Sequence, residues 1–187
     1  MSAQQEIFAL MQTFQDGYTQ RDLAQVDAFM ELFTQDVEVI GTNGSKPGVG
    51  EWYLNRSDAR ALVDGDWRAW GDLRLDLGSA SIHVLGEAGW IAATATVTQT
   101  IGDDNYASYL GYVKDYIEQP GLNAEEKLHN ILRGGTNTVY ELRRGNKFVW
   151  PLRFTAVVVH LPEGWKFAQM NFSFPTVYFP DVRVFDD

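Results

Sequence analysis

The residue of this sequence best placed for proton chemistry is Asp66. It follows Leu62 by four residues and sits next to Trp67, with Trp70 one turn further on. On a helix that spacing puts it at the border of the buried stripe. Desolvation among tryptophans would raise its pKa and let it act as a general acid or base. The plainer alternative is a solvated aspartate at the helix edge, paired with Arg68 or with nothing. A second group lies near the C-terminus, where Gln169, Asn171 and Ser173 fall on one face of a strand by the two-residue period, together with Trp165 and Phe167. Asn171 and Ser173 would then orient a ligand, or the same row would face a partner or water. Arg153 opens a long apolar strand and would clamp a ligand carboxylate with paired hydrogen bonds, or else satisfy a structural acid such as Glu141. Trp52, Trp67 and Trp70 would supply the apolar wall of a pocket.

Other chemistries find no support in the spacing. His83, His129 and His160 sit in different elements with no metal-ligand spacing, so no metal site is expected. Arg133-Gly134-Gly135-Thr136 lacks the strand and lysine of a phosphate loop, and no serine sits in a nucleophile elbow. The absence of cysteine excludes disulfides and thiol catalysis. A formal net charge of −10 with no basic cluster opposes binding to nucleic acid. No apolar run approaches the roughly 20 residues of a membrane span, and Met1 to Glu6 does not read as a signal peptide, so a cytoplasmic protein without cofactor is expected.

The elements that must position these residues follow from periodicity. Ile7, Met11, Phe14 and Tyr18 recur at helical spacing and predict a helix over about 3–19. Asp22 reads as the N-cap of a second helix carrying Leu23, Val26, Phe29, Met30 and Phe33. Val37 to Ile40 reads as a strand, Gly41 to Gly50 as a glycine-rich loop, and a third helix follows with Ser57 as its cap. Strands are expected at 73–77, 81–85 and 90–100, with a hairpin turn at 86–89. Two helices fall within about 103–133, with Tyr106, Tyr109, Tyr112 and Tyr116 crowding the first. That tyrosine stripe suits a lid, a dimer contact or an ordinary packing face. Strands are then expected at 138–142 and 148–161 around a turn at 143–146, and a last one at 165–174.

This order resembles the nuclear transport factor 2-like superfamily, and its SnoaL-like branch in particular. Gln20-Arg21-Asp22-Leu23 followed by Phe33-Thr34-Gln35-Asp36-Val37-Glu38-Val39 is similar to the opening of those proteins. Asp66-Trp67-Arg68-Ala69-Trp70-Gly71 resembles the close of their third helix, and Trp165 to Ser173 their final strand. The resemblance implies an α+β, cone-shaped fold in which a curved antiparallel sheet wraps three N-terminal helices. It implies one domain over 1–187, with a helical insertion at about 103–135 inside a divergent stretch reaching about 150. It also implies a homodimer formed through the sheet, and a small apolar or carboxylated ligand in the cone.

The ketosteroid isomerase members of that superfamily use a carboxylate base and a tyrosine donor. Here the base position falls at Gly41 and the tyrosine at Phe14; Tyr18, one turn later, would substitute only in a shifted register. Two functions stay open. One is a ligand-binding SnoaL-like protein with isomerase, cyclase or hydratase chemistry centred on Asp66. The other is a non-catalytic homodimeric binding or association module.

Overall fold

The computed structural model describes residues 1–42, 44–100, 105–118, 120–142 and 147–174. The chain forms two compact units, Met1–Val97 with Trp150–Asp187, and Thr98–Val149. The expected turn at 143–146 and the tail from Pro175 lie outside the described residues.

In the first unit, helix α1 spans Ala3–Gln20. Ser2 and Gln5 close a capping box at its start, and Arg21 ends it in the left-handed region with φ 50°. Its buried face carries Ile7, Leu10, Met11, Phe14 and Tyr18. Asp22 caps as expected, but its carboxylate accepts from the Ala24 N–H at 3.0 Å, and a single 3-10 turn, Leu23–Gln25, follows. Helix α2 is only Val26–Met30. Phe33 does not continue it, because the sheet claims that segment: the Phe167 N–H donates to the Leu32 carbonyl at 2.9 Å. Strand β1 therefore begins earlier than the hydrophobic pattern suggests, at Phe33–Ile40. A short strand β2, Trp52–Tyr53, ends the glycine-rich loop, and helix α3, Arg56–Ala69, starts from Asn55 and not Ser57. The Asn55 side chain accepts from the Asp58 N–H at 2.9 Å.

Strands β3 (Asp72–Leu75), β4 (Ser81–Leu85) and β5 (Ala88–Thr100) follow. In the second unit, helices α4 (Asn105–Glu118) and α5 (Ala124–Leu142) pack together. The strand expected at 138–142 is instead the last part of α5. Tyr109 donates its hydroxyl to the Ile131 carbonyl at 2.5 Å, and Tyr109, Tyr112 and Tyr116 form a row of tilted rings along α4.

Strands β6 (Lys147–Leu161) and β7 (Gly164–Ser173) complete a curved, unclosed sheet in the order β2-β1-β7-β6-β5-β3, with β4 paired to β5. The sheet is mixed: β1 runs parallel to β7, whereas β2 with β1, β4 with β5, and β6 with β7 are antiparallel. The architecture is α+β, as the sequence implies.

One irregularity in β7 controls which side chains face the helices. Val157 pairs with Gln169 and Val158 with Phe167, so Ala168 is an extra residue in the ladder. Trp165 and Phe167 are buried before this bulge, and Met170 and Phe172 are buried after it. The shared face expected for Trp165, Phe167, Gln169, Asn171 and Ser173 is therefore corrected. The polar row lies on the outer face, because the extra residue reverses the alternation. The core itself is aromatic. Phe14, fully enclosed, sits with ring centroids 5.0 Å from Tyr18, 5.6 Å from Phe29, 5.8 Å from Phe154 and 5.5 Å from Phe167.

Candidate functional site

Asp66 and Tyr18 meet at the edge of this core. The Tyr18 hydroxyl donates to Asp66 Oδ2 at 3.0 Å, joining α1 to α3. Tyr18 is buried; its ring lies edge-on to Trp67 and to Trp70, each at 6.3 Å. Asp66 is half-buried and has no share in the ion pair the sequence allowed, because Arg68 is held by Asp64 at 2.6 Å. Burial pushes the Asp66 carboxyl up to about 7. The Tyr18 hydrogen bond pulls in the opposite direction, and the charge of Glu51 adds to the rise. Tyr18 in turn is held well above its ordinary value, first by burial and then by the Asp66 charge. A carboxyl poised near neutrality beside a buried hydroxyl can both give and take a proton at physiological pH.

Helix α3 explains this placement. Val63 and Trp67 are buried and anchor one face, which leaves Asp66 beside the stripe and pointed at α1. Trp70 caps the helix, and its carbonyl accepts from Arg21 Nη1 at 2.7 Å. Gly17 makes the close approach of α2 possible: a Cβ there would overlap the Phe29 ring and lie 3.2 Å from Trp67 Cζ2. The Trp67 indole nitrogen is buried with no hydrogen-bond partner among the described residues.

Strand β2 brings two further groups that the sequence reading did not single out. Val39 pairs with Tyr53 and Ile40 with Trp52, so Tyr53 shares the buried face of Val39 and packs against the core. The Gly41 N–H donates to the Glu51 carbonyl at 2.8 Å, extending the same ladder by one residue. Glu51 therefore lies on the Tyr53 side, and its charge raises Tyr18, Tyr53 and Asp66. For Tyr53 burial comes first, followed by the charges of Glu51, Asp66 and Asp58. Glu51, Tyr53, Asp66 and Trp70 are all half-buried, so solvent reaches this cluster. The sequence signal for Glu51 was slight, a lone acid ending a loop rich in glycine. Tyr18 enters the sequence reading as a member of the apolar stripe and as a substitute tyrosine donor in a shifted register.

The residues expected to line one pocket separate into two groups. Asp66, Trp67 and Trp70 stay together on α3. Trp52 lies on the opposite face of β2 from Tyr53, and its indole N–H donates to Glu38 Oε1 at 2.6 Å. Arg153 pairs with Ser173, and Asn171 with Thr155 and Ile40, all on the outer face of the sheet. The Arg153 guanidinium donates to the Phe174 carbonyl at 2.8 Å. A groove of about 620 Å³ runs past Arg153 between Arg74, Asp76, Thr94 and Thr96. A smaller one of about 310 Å³ lies over Gly17, Phe29 and Trp67. Neither is lined by Tyr18 or Asp66, although the smaller reaches their neighbours Gly17 and Trp67. His83 stacks on Trp90 at 5.3 Å and His160 packs on Trp165 at 5.2 Å, each as a ring contact.

At the level of sequence, neither a protein-family model nor a curated protein matches the chain. Solved structures do. A nuclear transport factor 2-like superfamily protein from Salmonella enterica superposes with a TM-score of 0.59 at 14% identity, covering 97% of each chain. A protein from Streptomyces avermitilis, provisionally named a dehydratase of the same family, gives 0.58 at 10% identity, over 92% of this chain and 97% of that one. One from Xanthomonas campestris, provisionally named a calcium/calmodulin-dependent kinase II association domain, gives 0.54 at 14% identity, over 95% and 88%. Identities this low speak to architecture and not to activity. Element order, the curved mixed sheet and these superpositions together establish that the chain has the nuclear transport factor 2-like fold.

Proposed function

We propose that this protein is a SnoaL-like, small-molecule-binding protein that performs acid–base chemistry on its ligand, of the isomerisation, cyclisation or hydration kind. The observation that carries the proposal is the Tyr18–Asp66 pair, a 3.0 Å hydrogen bond to a carboxyl lifted to about 7. A structural aspartate on a helix surface has no reason to be placed among Tyr18, Trp67 and Trp70, where its charge is costly. Desolvated groups with specific partners mark functional sites more often than ordinary surface. The provisional name of the Streptomyces neighbour, a dehydratase, is compatible with this chemistry.

The ligand proposed is small, largely apolar and uncharged. Arg153, the residue suited to a carboxylate, is on the outer face with Asn171 and Ser173. Trp67 and Trp70 are the proposed apolar wall, joined by Tyr53. A thermal-shift screen against uncharged carbonyl and hydroxyl compounds, with carboxylated analogues alongside, tests the proposal. Binding to the native state alone raises stability by RT ln(1 + [L]/Kd), so modest affinity is visible at high concentration. A saturable shift that weakens in Asp66→Asn supports it. A shift confined to carboxylates and abolished by Arg153→Ala would move the site to the outer face.

A second reading concerns assembly. Val157, paired with Gln169 of the polar row, and Trp90, on β5 two strands from β7, are 41% and 48% exposed. Large apolar side chains in that position suit pairing with a second copy of the chain. A homodimer through this face, in the cytoplasm, would serve the enzymatic and the association reading equally. Sedimentation of wild type and Val157→Arg tests it: dimer for the first and monomer for the second is expected, and a wild-type monomer contradicts it.

A further inference from the structure

We infer that the α4–α5 hairpin is a self-association surface, and that its partner is the same hairpin of a second copy of this chain. The inference goes beyond the proposed function and concerns the Thr98–Val149 unit by itself.

That unit is short of buried side chains. Among the described residues the core runs from Ile7 to Val97 and resumes at Leu152, so none of it falls in this unit. Its two helices hold each other along one line. The Tyr109 hydroxyl reaches the Ile131 carbonyl, a Cβ on Gly135 would lie 3.3 Å from that hydroxyl, and Lys127 Nζ donates to the Ile117 carbonyl at 2.7 Å. Position 109 thus meets 131 and 117 meets 127, which makes the hairpin antiparallel. At 3.6 residues per turn, Tyr106, Leu110 and Ile117 lie about 60–100° round α4 from Tyr109. Leu128, Leu132 and Val139 lie the same angle, in the same sense, round α5 from Ile131. In an antiparallel pair, equal rotations taken along each chain lead to one side of the hairpin. The six side chains therefore form one apolar face, and each is between 40% and 66% exposed.

The size, charge and pattern of this face select its occupant. Half-exposed side chains of this size leave roughly 100 Å² each, so two copies face to face would bury roughly 1,200 Å², the lower end of specific interfaces. A lipid surface is a poor match, because interfacial helices carry basic polar faces, whereas acids outnumber bases over 105–142. A second copy matches in pattern. The rows on α4 and α5 have one spacing, i, i+4 and i+11, so α4 of one copy can lie on α5 of the other about a two-fold axis. The charged residues nearest the face, Lys114 on α4 and Glu125 on α5, stand at its two edges. In that arrangement the Lys114 edge of one copy meets the Glu125 edge of the other, whereas laying α4 on α4 would oppose lysine to lysine. An interface of this size is weak, so the pairing belongs to high protein concentration and is separate from the sheet contact.

Sedimentation equilibrium of Val157→Arg, in which sheet pairing is removed, isolates the hairpin. From about 10 µM to about 1 mM this chain should pass from monomer to dimer. Leu110→Glu with Leu132→Glu in the same background should stay monomeric throughout, and Leu110→Gln with Leu132→Gln repeats the test without added charge. Tyr112→Glu puts the same charge on the other side of α4 and should dimerise like its parent. Far-UV circular dichroism checks that the helices persist, as expected for substitutions at exposed positions. A Val157→Arg chain that is still monomeric at about 1 mM overturns the inference. Association that survives both paired leucine substitutions, or that is lost equally in Tyr112→Glu, overturns it too. If the sheet contact does not form, wild type and Val157→Arg associate alike, and the leucine variants decide the hairpin in the same way.

Discussion

Asp66→Asn should stabilise this protein, and by an amount that grows with pH. The substitution keeps the shape of the side chain and an oxygen for the Tyr18 hydroxyl, but it cannot ionise. In wild type the folded carboxyl sits at about 7, against an ordinary value of 3.8. Below pH ~4 both folded and unfolded chains hold the proton, and the group contributes nothing to pH dependence. Between ~4 and ~7 the unfolded chain has released its proton while the folded one retains it. The native state then binds more protons, so stability falls as pH rises. Above ~7 the folded chain carries a half-buried charge and the loss is complete. Raising the carboxyl from 3.8 to about 7, at about 1.4 kcal/mol per tenfold change in proton affinity, gives a total near 4 kcal/mol. Urea unfolding, followed by tryptophan fluorescence at intervals from pH 4 to 8, measures it. Subtracting wild type from Asp66→Asn cancels the titration of the other carboxylates. The difference should rise by about 4 kcal/mol across the window and level off above pH 7. A difference that stays flat would refute the claim that Asp66 is desolvated.

Tyr18→Phe removes the hydrogen bond that lowers the Asp66 pKa. Its midpoint should move above the wild-type value, as read by carboxyl NMR; a downward move contradicts the hydrogen bond. Phe14→Ala deletes a ring in contact with Tyr18, Phe29, Phe33, Phe154, Phe167 and Phe172. It should cost about 3–5 kcal/mol in urea unfolding, whereas a cost below about 1 kcal/mol would mean that Phe14 lines an open cavity.

Much of this arrangement was legible from periodicity, and the exceptions have identifiable causes. Helix α1 could be read because its stripe from Ile7 to Tyr18 keeps helical spacing and ends in a left-handed Arg21. The border position of Asp66 follows from its offset to Leu62 and Trp67, and its half-burial agrees with that offset. The same logic failed in β7, because a single extra residue leaves no mark on composition yet reverses every side chain beyond it. Ala168 thereby moved Gln169, Asn171 and Ser173 to the outer face. Thr138-Val139-Tyr140 looks like a strand by residue type, but it continues a helix already propagating from Ala124, where each added residue gains a hydrogen bond. Phe33 fits the apolar stripe of a second helix, yet the adjacent Leu32 carbonyl is bound by β7. Glu51 was out of reach for a different reason. Its place against Gly41, ten residues earlier, depends on the absence of a side chain there, a complementarity that only the register of β1 with β2 reveals.

The proposed proton chemistry stands on one ionisation, that of Asp66. A ¹³C titration of the Asp66 carboxyl in the ligand-free wild-type protein, assigned by its loss in Asp66→Asn, measures it directly. A midpoint near 7 is expected and would establish a proton donor beside Tyr18 at physiological pH. A midpoint in the ordinary carboxylate range would contradict the account and leave Asp66 a solvated residue on the flank of α3.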